Sequence, residues 1–290
     1  AHSHESSLSG ELHYQLNAAR TYLVNNLSGY ADWNRSTGQS ILNGDVVREN
    51  VKPHKRYITD DFSWIHRITD KRSLSLSGYV AYNDLPGHLL LHDGSWESLD
   101  LQTLRWKATT WIGQRIGAVN VTYDLETNGN RQWLSTRNPL DTANDRYAES
   151  WLTGRVTTSC KNDWLDLLAR LPLSWLWRSL GREDKTNVLF TPEVSAKLTF
   201  GVDWDLSLSY NYGWQPLSLR DMTGTTLFTN YISVTQGLGY LDNSHGNSFT
   251  GILNYRNISS GFFATAMTSW AGNSGNILYR ATYDHGFYTT

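Results

Sequence analysis

From Pro192 to Tyr212 the chain alternates. Pro192, Val194, Ala196, Leu198 and Phe200 stand against Glu193, Ser195, Lys197 and Thr199. After Gly201-Val202-Asp203 the alternation restarts, with Trp204, Leu206, Leu208, Tyr210 and Tyr212 against Asp205, Ser207, Ser209 and Asn211. A period of two predicts a strand with one apolar and one polar face, and two such runs about three turn-type residues predict a hairpin. The pattern repeats along the chain. Leu12–Ala18 and Leu23–Asn34 form a first pair. Lys55–Arg67 and Ser73–Asn83 meet at Thr69-Asp70-Lys71, and Leu101–Ile112 and Val119–Glu126 at Gly113-Gln114-Arg115. Tyr147–Cys160 and Trp164–Trp175 join at Lys161-Asn162-Asp163, and Asn247–Arg256 leads into Gly261–Ala271. Between the pairs lie stretches rich in Gly, Asn, Ser and charge, predicted as loops near 35–54, 84–98, 127–146, 176–187 and 214–246.

The sum is an all-β chain of about twelve or thirteen strands, with connections alternating between three or four residues and roughly ten to thirty. Short turns on one rim and long loops on the other predict an antiparallel transmembrane up-and-down β-barrel. Residues 1–10 are read as a flexible or strand-leading segment and 11–290 as barrel wall. A soluble carbohydrate-binding sandwich is the alternative, since it too is built of alternating strands rich in aromatics.

Composition sharpens the choice. No apolar run reaches the 18 residues a membrane helix needs, a test that a β-barrel escapes because half of each strand is polar. Thirteen Trp and sixteen Tyr are far above ordinary usage, and both side chains favour membrane–water interfaces. Trp64, Trp111, Trp164 and Trp204 fall beside short turns, whereas Trp33, Trp175, Trp214 and Trp270 fall beside long connections. That placement predicts two aromatic belts. A formal charge of −2 leaves no basic footprint for nucleic acid. The lone Cys160 excludes an internal disulfide.

If the apolar faces meet lipid, Arg105, Lys107, Asp124, Glu126, Arg155, Asp166, Arg170, Glu193, Lys197 and Asp205 face the lumen. Five bases against five acids predict no strong ion selectivity, and predict pairing across strands or with a domain filling the lumen. Enzyme signatures are absent: the sequence has no GxSxG, HExxH, Walker loop or paired-cysteine site, so no catalytic residue, metal site or cofactor is expected. His2, His4 and Glu5 are read as a solvated tail.

Several phrases carry a resemblance. GELHYQLNAARTYLVNNLSGYADWN, RYITDDFSWIHRI, LSGYVAYNDLPGHL, LARLPLSWLWRSLGREDKTNVLFTPEVSAKLTFGVDWDLSLSYNYG and SFTGILNYRNISSGFF are similar to the barrel wall of Bacteroidota TonB-dependent-receptor-like outer-membrane proteins. The resemblance implies a 22-stranded barrel in the bacterial outer membrane, with long loops extracellular and a plug inserted from the N-terminus. It also implies TonB-driven import of an organic nutrient (glycan, peptide or chelate). No plug-like segment precedes the first strand and the chain ends in HGFYTT, so it is expected to be the middle of such a barrel and incomplete. The implied partners are outer-membrane lipid, a plug or other part of the same protein, and a surface lipoprotein or larger complex. The alternative function is a scaffold barrel that anchors surface lipoproteins and transports nothing. Asp141-Thr142-Ala143 resembles the short triplet at which proteins of that lineage are O-glycosylated, with Thr142 the acceptor.

Overall fold

A computed structural model describes residues 2–42, 45–51, 54–90, 96–138, 142–217, 219–230, 233–275, 282–284 and 287–289, with side chains left out at 35–53 and a few other stretches. In chain order the strands are β1 (His2–His4), β2 (Ser7–Asn17), β3 (Thr21–Asp32), β4 (Arg35–Leu42), β5 (Asp45–Val51), β6 (Arg56–Thr69), β7 (Arg72–Leu90), β8 (Trp96–Ile116), β9 (Val119–Arg137) and β10 (Thr142–Lys161). There follow β11 (Leu165–Leu180), β12 (Glu183–Phe190), β13 (Glu193–Phe200), β14 (Trp204–Pro216), the single turn α1 (Leu219–Met222), β15 (Thr226–Asn230), β16 (Ser233–Gln236), β17 (Asn243–Asn257), β18 (Phe262–Ser274), β19 (Thr282–Asp284) and β20 (Phe287–Thr289).

Among the described residues, twelve strands make one antiparallel wall in chain order: β2, β3, β6, β7, β8, β9, β10, β11, β13, β14, β17 and β18. Each pairs with the next, so the connections alternate between two rims: six tight ones fall on one rim, and the remaining ones, the tight turn at Gly181 among them, fall on the other. Gly117 (φ 62°), Gly201 (φ 63°) and Gly261 (φ 68°) turn the chain at the tight rim, in a backbone region that a Cβ disfavours. β12 covers the far half of β11 and β13 the near half. β4 and β5 form a hairpin beyond the wall, and β15, β16, β19 and β20 form a separate four-stranded sheet.

The expected alternation holds across the wall. Val80, Ile112, Leu125, Val156, Leu171, Tyr210 and Leu253 share one face by register and are all exposed. Among the described residues nothing covers that face, and no second sheet packs on it. Phe62 lies over Gly78 and the Trp106 ring lies over Gly129, so these glycines make room where a Cβ would collide with the ring.

The strands run further than the sequence pattern suggested. β7 continues through 84–90, β8 starts at Trp96, β9 and β10 occupy most of 127–146, and β11 and β12 turn tightly at Gly181. The cause lies on the apolar face, where the row turns polar at Asp84, Asp100, Arg131 and Arg146. Beyond that height the apolar row turns polar while the opposite row gains Leu99, Leu101, Leu134 and Tyr147, so the alternation loses its phase while backbone pairing continues. Parts of the predicted loops at 43–44, 52–53, 91–95 and 139–141 lie outside the described residues. Residues 7–10 already belong to β2.

Candidate functional site

Directly opposed residues of an antiparallel ladder share a face, so the register decides what lies beside what. Asp124 opposes Trp111 and Arg155, and Glu126 opposes Thr109 and Thr153. Thr157 opposes Arg170, which opposes Glu193, and Asp166 opposes Lys197. Asp205 opposes Thr199, two residues along from Lys197. Arg105 and Lys107 lie in line with Thr109 and Trp111. All ten charged residues named from the sequence therefore lie on one face of the sheet, opposite the apolar one.

Most of them neutralise one another. Lys107 Nζ and an Arg155 guanidinium nitrogen reach Glu126 at 3.1 and 3.5 Å. One Arg170 nitrogen donates to both carboxylate oxygens of Glu193 at 2.8 Å. Lys161 meets Asp166 at 3.4 Å, while Lys197 and Arg256 both meet Asp205 at 3.7 Å. The Thr199 hydroxyl donates to Asp205 at 2.8 Å. Arg105 has no ion pair among the described residues.

Toward the rim of long connections the same face changes character. Leu99 and Leu101 of β8, Leu134 of β9, Tyr147 of β10 and Leu180 of β11 lie on it by register and form an apolar patch. The described residues of 217–242 fold across this patch as a strap, burying Leu219, Met222, Leu227 and Leu241 against it. Each such side chain contributes about 1.5–3 kcal/mol on removal from water. Polar tethers then fix the register of the strap. The hydroxyls of Thr223 and Thr225 donate to Asp145 Oδ2, the latter at 2.7 Å. Asn138 Nδ2 donates to the Thr226 carbonyl at 2.8 Å, and the Leu241 N–H donates to Glu183 Oε2 at 2.8 Å. Within the strap, Gly237 approaches the Asp221 and Thr223 carbonyls so closely that a Cβ would sit 2.5 Å from each oxygen.

Arg178 closes the edge of this site and is 3% exposed. It donates to the Asp242 carbonyl at 2.9 Å and to Asn187 at 3.2 Å, and it lies 5.0 Å from the Trp214 ring centroid. Trp214 meets Trp151 edge-on at 5.3 Å. The Tyr147 phenol donates to Glu149 at 2.7 Å, and burial, followed by the charge of Glu149, raises its pKa so that it stays protonated.

Among the aromatics expected at the interfaces, Trp64, Trp175, Trp204 and Trp270 lie on the apolar face by register. Trp33 and Trp164 stand exposed just outside strands. Two differ from the sequence reading. Trp111 opposes Ser75 and Asp124 on the polar face, where its ring lies against Gly113. Trp214 turns to Trp151 and Arg178, which also belong to the polar face. Proximity to a connection had assigned both, but parity and packing decide the side. Thr142 is exposed at the start of β10, opposite Arg137, and Asp141 lies outside the described residues.

Sequence reasoning missed the strap and its seat. Parity along Tyr147–Cys160 already placed Tyr147 and Trp151 on the polar side. No local pattern could reveal that the strap would fold back onto residues about 40 to 140 positions away.

No protein-family pattern and no curated protein sequence matches the chain. Solved structures do match in shape. The alcaligin outer-membrane receptor FauA of Bordetella pertussis superposes with a TM-score of 0.57 at 12% identity, over 93% of this chain and 44% of that one. The ferric preacinetobactin receptor BauA of Acinetobacter baumannii gives 0.58 at 7% identity, over 96% and 53%. FpvA of P. aeruginosa, solved with bound pyoverdines, gives 0.61 at 10% identity, over 97% and 43%. The chain thus spans about half the length of the receptors it resembles. Over the described residues its fold is an unclosed antiparallel β-wall, similar to part of the barrels of these outer-membrane receptors.

Proposed function

We propose that the chain is the barrel-wall portion of an outer-membrane transporter of TonB-dependent type, importing an organic nutrient or metal chelate. The observation that carries this reading is the sidedness of the wall: an uncovered apolar face opposite a polar face that bears paired charges and a strap near one rim. In this reading the apolar face meets outer-membrane lipid, the polar face lines the lumen, and the long-connection rim is extracellular. Trp64, Trp175, Trp204 and Trp270 stand at the two interfaces. Further strands of the same protein close a barrel of 22, and a plug fills it. Two of the receptors similar in fold are named for ferric preacinetobactin and ferric yersiniabactin, which favours a chelate over a glycan or peptide.

Two measurements test the reading. Leu125→Arg places a cation on the lipid side and Thr122→Arg places one on the lumen side. The first is expected to cost about 2–4 kcal/mol of membrane stability and to abolish heat-modifiable migration, the second to leave it intact. Equal effects would end the membrane assignment. Uptake of labelled ferric chelates, oligosaccharides and peptides by cells carrying the whole protein then tests transport. The pairing of most charges in the middle of the polar face also suits a scaffold barrel holding a surface lipoprotein, and absent uptake with a stable stoichiometric partner would favour it. We also propose O-glycosylation at Thr142. The glycan mass on the peptide that carries it should vanish in Thr142→Ala.

A further inference from the structure

The polar face has a second distinctive region, at the tight-turn rim and far from the strap. There, a cleft of about 890 Å³ runs across β6, β7, β8 and β9 and the turns between them. Arg67, Lys71, Arg72 and Arg115 line it, with Asp70 its one acid. A fifth cation, Arg20, is drawn alongside because its carbonyl accepts the Arg67 N–H at 2.8 Å. Arg67 opposes Ser73, Ser73 opposes Gly113, and Gly113 opposes Thr122, which puts most of the cleft on the polar face, while Arg72, opposite Gln114, stands at the end of the other row. Arg115 opposes Asn120 on the polar face.

The charges here differ from most of those elsewhere on that face, Arg105 being the exception. In the middle of the wall, Lys107, Arg155, Arg170 and Lys197 each have a carboxylate partner within 4 Å. At the neighbouring tight turns, Lys161 and Arg256 do too. Among the described residues none of Arg20, Arg67, Lys71, Arg72 and Arg115 forms an ion pair. One arc of the rim therefore concentrates unpaired positive charge in a chain whose formal net charge is −2. Like charges this close repel unless an anion joins them.

We propose that this arc is a docking surface for an acidic polypeptide segment entering the barrel mouth from the tight-turn side. Three features select a peptide over a phosphate or lipid headgroup. Most of the cleft lies on the polar face rather than the lipid-facing one. Its volume far exceeds one phosphate. Its cations are strung over three strands and a turn, as an extended chain of carboxylates would require, instead of converging on a point. The proposal rests on reading the polar face as the lumen.

The test uses the full chain refolded in detergent and a fluorescein-labelled octapeptide of alternating Asp and Glu, followed by anisotropy at low salt. Saturable binding is expected, absent for the Asn/Gln counterpart and abolished at 0.5 M NaCl. Arg67→Gln combined with Arg115→Gln should weaken it about tenfold, whereas Lys185→Gln, remote on β12, should leave it unchanged. Circular dichroism and heat-modifiable migration of each variant establish that it is folded. No saturable binding, or equal binding by the double variant, would overturn the proposal. So would binding to phosphatidylglycerol vesicles that the peptide does not compete away. Loss of the lumen reading itself would show separately, in the Leu125→Arg and Thr122→Arg pair.

Discussion

Glu126 shows how a single side chain holds the polar face together. It is 8% exposed and accepts both Lys107 and Arg155, so its loss strands two cations at once. Glu126→Gln should lower unfolding stability in detergent by about 1–2 kcal/mol, read by urea titration of Trp fluorescence. Arg170→Ala, at a pair whose side chains are 45% and 43% exposed, should cost less than about 1 kcal/mol despite its better geometry. On the apolar face, Gly129→Val drives a branched side chain into the Trp106 ring and should cost about 1–3 kcal/mol, partly recovered by adding Trp106→Ala. Asp100 stands above the apolar band, where burial and then the Asp84 carboxylate raise its pKa. A carboxyl raised in the fold opposes stability when ionised, so Asp100→Asn should stabilise at pH 7. The gain should fade as acid protonates the wild-type group, and a difference that grew with acid would contradict it. Positions such as these were legible from parity alone, which placed all ten charged residues on one side. The same parity would have placed Trp111 correctly had it been preferred to proximity to a turn.

The strands and the strap show where local pattern stops informing. Alternation reports a difference between two surroundings, so it marks the apolar band and loses phase where β7 to β11 rise past Asp84, Asp100, Arg131 and Arg146, where the apolar row turns polar and the opposite row seats the strap. The ladders persist there because backbone groups still require partners. The strap was illegible for another reason: its stability comes from distant seats, Leu134 and Tyr147 for its apolar residues and Asp145 for its hydroxyls. Asp145→Ala removes the acceptor of two buried threonines and should cost about 2–3 kcal/mol, confined to the strap. Hydrogen exchange should quicken across 219–227 while the middle of β9 and β10 stays protected. Uniform acceleration would mean that strap and wall unfold together. Gly237→Ala should act in the same direction, since its Cβ meets two backbone oxygens that have little room to withdraw.

The wall as assembled has its only buried apolar cluster among the described residues under the strap, and its broad apolar face lies bare. Such a chain is stable only where that face has a non-aqueous neighbour, which is what the outer-membrane reading supplies. Its polar face is divided by height: a buried aromatic and arginine site beneath the strap, a neutralised middle, and a cationic arc at the tight rim. Traffic across the lumen would thus meet three environments in succession.

The unbroken register from Val119 to Arg137 and from Thr142 to Lys161 also limits how such a protein can vary in length. One residue inserted after Thr122 would exchange inside for outside at every later position of β9, sending Leu125 to the polar side and Glu126 to the hydrocarbon side. Two residues inserted at the same place would restore the order. Heredity can therefore lengthen these hairpins freely only at their tips or in even steps, leaving the staves of the barrel fixed in phase.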